Sequence, residues 1–328
     1  MFAYVRSIGK YARCCSLALG IGLILLGIDA QAQPDQKQVQ NNVDDIVRRS
    51  SVQTKSYSEE FKNLLAKETK TVRIFDKKEA LKKERVIVSN FLVYQFLKGT
   101  DETTEFRSVL SVDGKPVSGV EKRAIELFER ISKASTTTSE LERIQKESLR
   151  YDDEIQITGL TLFQGIALDE RVRDSFLFEI VGRQVIAGSE AWAVRYTQVK
   201  DTDLIRISDK PAGPAVLEYD FDLGDLKNAR PRLRGTLWID AKSYQILREI
   251  RELTLRREGS LEPIVIATNE FEYSSSEFGI YIPRRIKHSQ FRFDPKTPGG
   301  IKEIEYLFEY SDFTRPKVEV TSDKPAQP

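Results

Sequence analysis

Between residues 174 and 313 the chain reads as one long strand after another, with apolar side chains recurring at every second position and short polar turns between them. Segments 174 to 182, 190 to 200, 215 to 221, 234 to 240, 244 to 257, 263 to 273, 280 to 293 and 302 to 313 carry this period of two. The turns include Gly188-Ser189, "DAKS" and "DPKTPGG". Strands joined by such short connections pair antiparallel, which implies a meander. In "RGTLWIDAKSYQILREIREL" the turn Asp240 to Ser243 joins a Trp238 strand to an arginine-rich one. The charges Arg248, Glu249, Arg251, Glu252, Arg256 and Arg257 alternate in sign and read as a solvated wall, each exposed pair contributing about 0.2 to 1 kcal/mol.

Upstream, "TVRIFDKKEALKKERVIVSNFLVYQFL" has the same period, broken by a charged turn at Asp76 to Lys78. Its second strand is apolar on both faces: Val86, Val88, Leu92, Tyr94 and Phe96 on one, Ile87, Phe91, Val93 and Leu97 on the other. Such a strand is covered on both sides. "TEFRSVLSVDGKPV" follows as its partner, closed by Asp113-Gly114. Ser118 with Glu121 and Ser139 with Glu142 have capping-box spacing ahead of two helical patterns, with "STTTS" as their joint. Before the strands, Val43, Ile46, Val47, Phe61, Leu64 and Leu65 recur at helical spacing.

The fold class expected is α+β, a strongly curved antiparallel β-sheet (an incomplete barrel) covered by helices. Residues 33 to 70 form the N-terminal helical segment, and residues 71 to 315 form the sheet with a helical insertion at about 119 to 151. The tail 316 to 328, rich in polar residues and Pro, is expected to be disordered.

Residues 1 to 32 read as a signal peptide: Arg6, Lys10 and Arg13 precede the apolar run "SLALGIGLILLGI" and the small-residue site Ala30-Gln31-Ala32. The chain is therefore expected to be exported and periplasmic, with no transmembrane segment left after processing. Cys14 and Cys15 both precede the apolar run, so the mature chain has neither an acylated cysteine nor a disulfide and relies on its core. Without three basic residues and Asp29, 51 Lys+Arg and 50 Asp+Glu become 48 and 49. A near-neutral, mixed surface offers no single-sign field for nucleic acid.

His288 is the only histidine, which excludes Cys/His catalysis and a His/Cys metal cluster. No phosphate-cradling glycine motif occurs, and "YDDE" at 151 to 154 reads as a solvated loop. No catalytic residue, metal ligand or cofactor is expected, and the chain is not read as an enzyme.

The apolar rows carry more information. Phe176, Phe178 and Ile180 share one strand face, Trp192, Val194 and Tyr196 a second, and Ile304, Tyr306, Phe308 and Tyr310 a third. They face either an ordinary core or a hollow under the curved sheet. Phe176, Phe178, Trp192, Val194, Tyr196, Trp238, Tyr306 and Phe308 are the candidate cavity residues. Arg230, Arg232 and Arg234, in "RPRLRG", are the candidate headgroup contacts.

The exported chain, the order of helix, sheet and helical insertion, and the segment "GTLWIDAKSYQILREI" resemble the lipoprotein-localisation carrier (Lol)-like half-barrel superfamily. "FRSVLSVDGKPV", the two helices and "GTLWID" together look more closely like a family of uncharacterised secreted bacterial proteins. The superfamily resemblance implies a lipid or lipoprotein acyl chain held in an apolar hollow. The alternative is a non-enzymatic envelope scaffold whose sheet binds a protein partner.

Overall fold

The computed structural model describes residues 36–95, 103–133, 136–152, 157–202, 205–208, 217–220, 230–256, 263–292 and 300–315. The signal segment and the tail lie outside the described residues.

The N-terminal pattern forms one helix, α1 (Gln36–Phe61). Its buried stripe runs through Val43, Ile46, Val47, Ser50, Ser51, Tyr57 and Phe61, at the three- and four-residue spacing of one helix face. Helical structure does not extend to residue 70, because β1 (Leu65–Phe75) starts six residues before the expected boundary. The inward positions of its first half are Ala66, Glu68 and Lys70, the latter two almost fully buried, so charge masks the strand period.

β2 (Leu81–Gln95) and β3 (Thr103–Val112) follow, and Asp113-Gly114 turns the chain into the two-residue β4 (Lys115–Pro116). Asp113 and Gly114 have φ of 50° and 73°, the left-handed pair that a tight hairpin requires. The insertion is α2 (Val120–Ser132) and α3 (Thr137–Ser148). The capping box of α3 lies three residues before the expected one: Thr136 is the cap and Ser139 its N3 partner. Leu127, Leu141 and Ile144 pack on Leu92, Tyr94 and Phe106, on the outer face of β2 and β3. Phe91 and Val93 face the main core, so this part of β2 is covered on both sides.

After β5 (Ile157–Thr158), residues 159 to 175 run irregularly, with short 3-10 turns at Ile166–Leu168 and Arg173–Ser175. The remaining strands are β6 (Phe176–Ile186), β7 (Ser189–Gln198), β8 (Ile205–Ser208), β9 (Leu217–Asp220), β10 (Arg230–Asp240), β11 (Ile246–Arg256), β12 (Ile264–Ser275), β13 (Tyr281–Arg292) and β14 (Ile301–Thr314). Eleven of the strands make one antiparallel sheet in the order β4-β3-β2-β1-β14-β13-β12-β11-β10-β7-β6. The sheet does not close, since β4 and β6 are its two ends. The segment read at 215 to 221 does not extend the meander. As β9 it pairs with β5 and, in parallel, with β8, while β7 pairs directly with β10.

Contacts across the concave side require the sheet to curl. β3 and β11 are six strand positions apart, about 29 Å on a flat sheet. Yet Glu105 on β3 accepts from Thr161 N at 2.9 Å, and Glu249 on β11 accepts from Gly165 N at 3.1 Å. Four residues of chain span at most about 14 Å. Side chains rise from a sheet rather than run along it, so the two walls must bend toward each other.

At the β10–β11 hairpin, Asp240 Oδ1 accepts from the backbone of Lys242 at 2.9 Å and of Ser243 at 2.6 Å. Burial alone would raise the Asp240 pKa, but these donors favour the charged form and bring it below the ordinary value. Asp240→Ala is expected to lower stability by about 1 to 2 kcal/mol at neutral pH. A lowered folded pKa stabilises above the unfolded value and is lost in acid, so the difference from wild type should shrink below about pH 4. Urea unfolding at neutral and acid pH checks both statements.

Candidate functional site

The concave face of the sheet, α1 and the belt of residues 159 to 172 share one core. Most of the apolar rows read from the sequence meet here. Val194 and Tyr196 are 0% exposed, and Phe176, Tyr306 and Phe308 are buried beside them; Phe178 and Trp192 are partly buried against the same cluster. The space that these residues line is filled by α1 and by Leu160, Phe163, Ile166, Ala167, Leu168 and Val172 of the belt.

Trp238 does not join them. It faces the opposite side of the sheet with Ala191, Ala193 and Leu247, its Nε1 donates to Gln184 Oε1 at 2.8 Å, and Arg248 stacks over its ring. It alternates along β10 with the inward Leu237 and Ile239, so strand parity turns it to the other face. The three arginines lie on the same strand. Arg230 pairs through its backbone with Arg256, and "RPRLR" is the first half of β10. Arg232 bonds Asp201, and Arg234 Nε lies 2.6 Å from Glu252, both alternating with the inward-facing Leu233 and Gly235. Arg232 and Arg234 thus stand in surface ion pairs on the outer face, where such pairs are weak.

A polar row crosses the buried floor. Register places Tyr306 beside His288, His288 beside Asn269, Asn269 beside Arg251, Arg251 beside Gly235, and Gly235 beside Tyr196. Arg251 and Glu249 are 0% exposed, which corrects their reading as part of a solvated wall. Glu249 Oε1 accepts from Tyr196 at 2.8 Å and from Arg251 Nε at 2.9 Å; Oε2 accepts from Arg251 Nη2 at 2.8 Å and from Gly165 N. Arg251 Nη2 also donates to the Phe163 carbonyl at 2.7 Å. Gly235 leaves the space for the Tyr196 ring, because a Cβ there would stand 2.1 Å from the Ile250 carbonyl and 2.6 Å from the Tyr196 hydroxyl.

A second buried set holds the other end of the belt. Arg107 bonds Glu68 at 2.7 Å and Glu105 at 3.0 Å, and Glu105 also accepts the Thr161 hydroxyl at 2.7 Å. Burial opposes the Arg107 charge, but Glu68 and Glu105 outweigh it and raise its pKa. Lys70 pairs with Asp152, both nearly sealed, so this part of "YDDE" is not a solvated loop. From the roof, Tyr57 donates to the Thr161 carbonyl at 2.8 Å and Ser51 to the Leu168 carbonyl at 2.7 Å. Glu249 and Arg251 share strand parity with Leu253 and Leu255. An opposite-charge pair on an apolar parity was the available sequence sign of this site; the belt carried none.

Between α1 and the belt lies a cleft of about 470 Å³, lined by Ser51, Thr54, Lys55 and Ser58 on one side and by Leu162, Phe163, Gln164 and Ile166 on the other. His288 is 0% exposed, and its Nδ1 lies 2.7 Å from Asn269 Oδ1. Among the described residues no group of three or more His, Cys, Asp or Glu is placed to hold a metal ion. No described helix is long and apolar enough to cross a membrane.

No family model and no curated protein matches the chain. Among solved structures, the chain is similar to a domain described as an outer membrane lipoprotein-sorting protein from Vibrio parahaemolyticus, with 10% identity over 85% of this chain and 95% of that one and a TM-score of 0.35. A DUF1329 family protein from Desulfovibrio piger matches at 10% identity over 84% and 94%, with a TM-score of 0.32. A LolA superfamily protein from Nitrosomonas europaea matches at 9% identity over 81% and 94%, with a TM-score of 0.33.

Two stability measurements test this floor. Glu249→Ala leaves Arg251 buried without its carboxylate and should cost roughly 3 to 5 kcal/mol, while the double change Glu249→Leu with Arg251→Met should cost much less than the two single changes together. Burial brings the His288 pKa down to about 4, partly countered by Gln290. The unfolded chain then binds a proton that the folded chain refuses. Stability should fall as pH drops from about 6.5 toward 4, by up to about 1.4 kcal/mol per unit, and His288→Gln should flatten that slope in urea unfolding.

Proposed function

We propose that the protein is an exported, non-enzymatic binding protein of the bacterial periplasm that takes the acyl chain of a lipid or lipoprotein between the curved sheet and its roof. The observation that carries this reading is how the concave face is closed. Among the described residues, its apolar floor is covered by α1 and an irregular belt. Two side-chain hydrogen bonds, from Ser51 and Tyr57, link that helix to the belt.

An acyl chain enters such a floor by replacing roof side chains, exchanging one apolar contact for another. Each buried methylene contributes about 0.8 kcal/mol, and the membrane supplies a similar term to the same chain. Net transfer energy is therefore small, and loading depends on how easily α1 and the belt separate. The cleft between them, about 470 Å³, is within the usual range of ligand sites, about 300 to 1,000 Å³. It is where that separation begins.

Tethering α1 to the belt tests the reading. With Ser51→Cys and Leu168→Cys oxidised to a disulfide, binding of a fluorescent fatty-acid probe should weaken at least tenfold, and reduction should restore it. Equal binding by the tethered and reduced forms, or no probe and no extractable lipid bound by the wild type, would overturn it.

A further inference from the structure

The two ends of the sheet are built differently. β4 is two residues long and consists of Lys115 and Pro116, and short length, Lys and Pro are the devices that keep an edge from pairing with another chain. β6 is eleven residues long, holds neither Lys nor Pro, and among the described residues no strand pairs with its outer side. Leu177, Val181 and Val185 are 64%, 41% and 68% exposed there. An edge of this length left apolar and open is a template for a further strand.

We propose that β6 is a dimerisation edge, pairing antiparallel with β6 of a second copy of this chain about a two-fold axis between Val181 and Gly182. The sequence of the strand is complementary to itself in that register. The pairing of β6 with β7 shifts between Ile180 and Gly182, so Phe178 shares a face with Val185, and Leu177 with Ile186. Antiparallel pairing about the axis sets Leu177 against Ile186 of the second copy and Phe178 against its Val185. Leu177, Phe178, Val185 and Ile186 thereby each meet an apolar side chain across the strands. Glu179 faces Gln184 and Arg183 faces Ile180, so no charge is set against its like.

The other edge explains why the occupant is one further copy and not a growing stack. An interface that repeats the same strand on both sides is closed by its two-fold axis. The edges left outermost are then β4, blunted by Lys115 and Pro116, and the part of β3 before it, where the Arg107 N–H is taken by Ser148 and the Leu110 carbonyl by Val117.

Sedimentation of the chain starting at Gln33 tests the proposal. The wild type is expected to be a dimer at tens of micromolar, and Leu177→Lys with Val185→Lys should raise the dissociation constant at least tenfold while leaving circular dichroism and the melting temperature nearly unchanged. Register is checked separately with Glu179→Cys and Gln184→Cys in one chain, whose natural cysteines are confined to positions 14 and 15. The two new cysteines are too far apart along one strand to bridge within a chain, so mild oxidation should give a covalent dimer. A monomeric wild type, higher oligomers, or a dimer that neither the lysines dissolve nor the cysteines cross-link would overturn the proposal.

Discussion

The carboxylate of Glu249 fixes the belt, and through the belt the curvature of the sheet and the seat of α1. Both of its oxygens are in use, shared among Arg251, the Tyr196 hydroxyl and the Gly165 backbone. Removing two charges from water costs several kcal/mol per ion, and their attraction offsets this only when the remaining valences are filled. Here they are filled largely by the belt: Gly165 N–H for the carboxylate, the Phe163 carbonyl for the guanidinium. A displaced belt would leave these groups to find other partners. The ion pair is therefore stable only in a sheet curled tightly enough to bring the belt to both walls, with Glu105 serving the same purpose six strands away.

Strand existence was legible because most inward positions of β6, β7 and β10 to β14 are apolar and alternate cleanly. Legibility stopped where charge occupies the inward face. Glu68 and Lys70 hid the start of β1, and Glu249 with Arg251 made β11 look solvated on both sides. Partners for these groups come from Arg107, Asp152 and Gly165, residues distant in sequence, so no local pattern announces them. The aromatic rows were legible as inward-facing. Whether they lined a hollow depended on what filled it, which is a property of α1 and the belt rather than of the strands. Trp238 stands on the opposite parity of β10 from Leu237 and Ile239, so strand alternation alone turns it to the outer face.

The two helical parts of the fold have different physical consequences. α2 and α3 lie outside the sheet over Leu92, Tyr94 and Phe106, so they stiffen the β2–β3 wall without covering the floor. Ser148, at the end of α3, accepts from the Arg107 backbone at 3.1 Å, and Asp152 just beyond it meets Lys70 on the concave side. The insertion thus wraps the β3 edge and delivers the belt into the interior. One end of the belt is set by this rigid wall and the other by β6, which it enters at Phe176.

α1 is held differently along its length. Near its C-terminal end Tyr57 and Phe61 stack on each other at 4.9 Å, and they contact Tyr273, Phe91 and Phe313. That end is also joined by the Asn63–Leu64 turn to β1, a central strand. Toward its other end the buried stripe is the aliphatic Val43, Ile46 and Val47. The helix is thus anchored by aromatic rings and a covalent turn at one end and by aliphatic contacts at the other. The link from Ser51 to Leu168 stands between the two, beside the cleft. The aromatic cluster at Tyr57 and Phe61 thus ties α1 to the centre of the sheet, and the aliphatic stripe and the Ser51 link seat the rest of the helix.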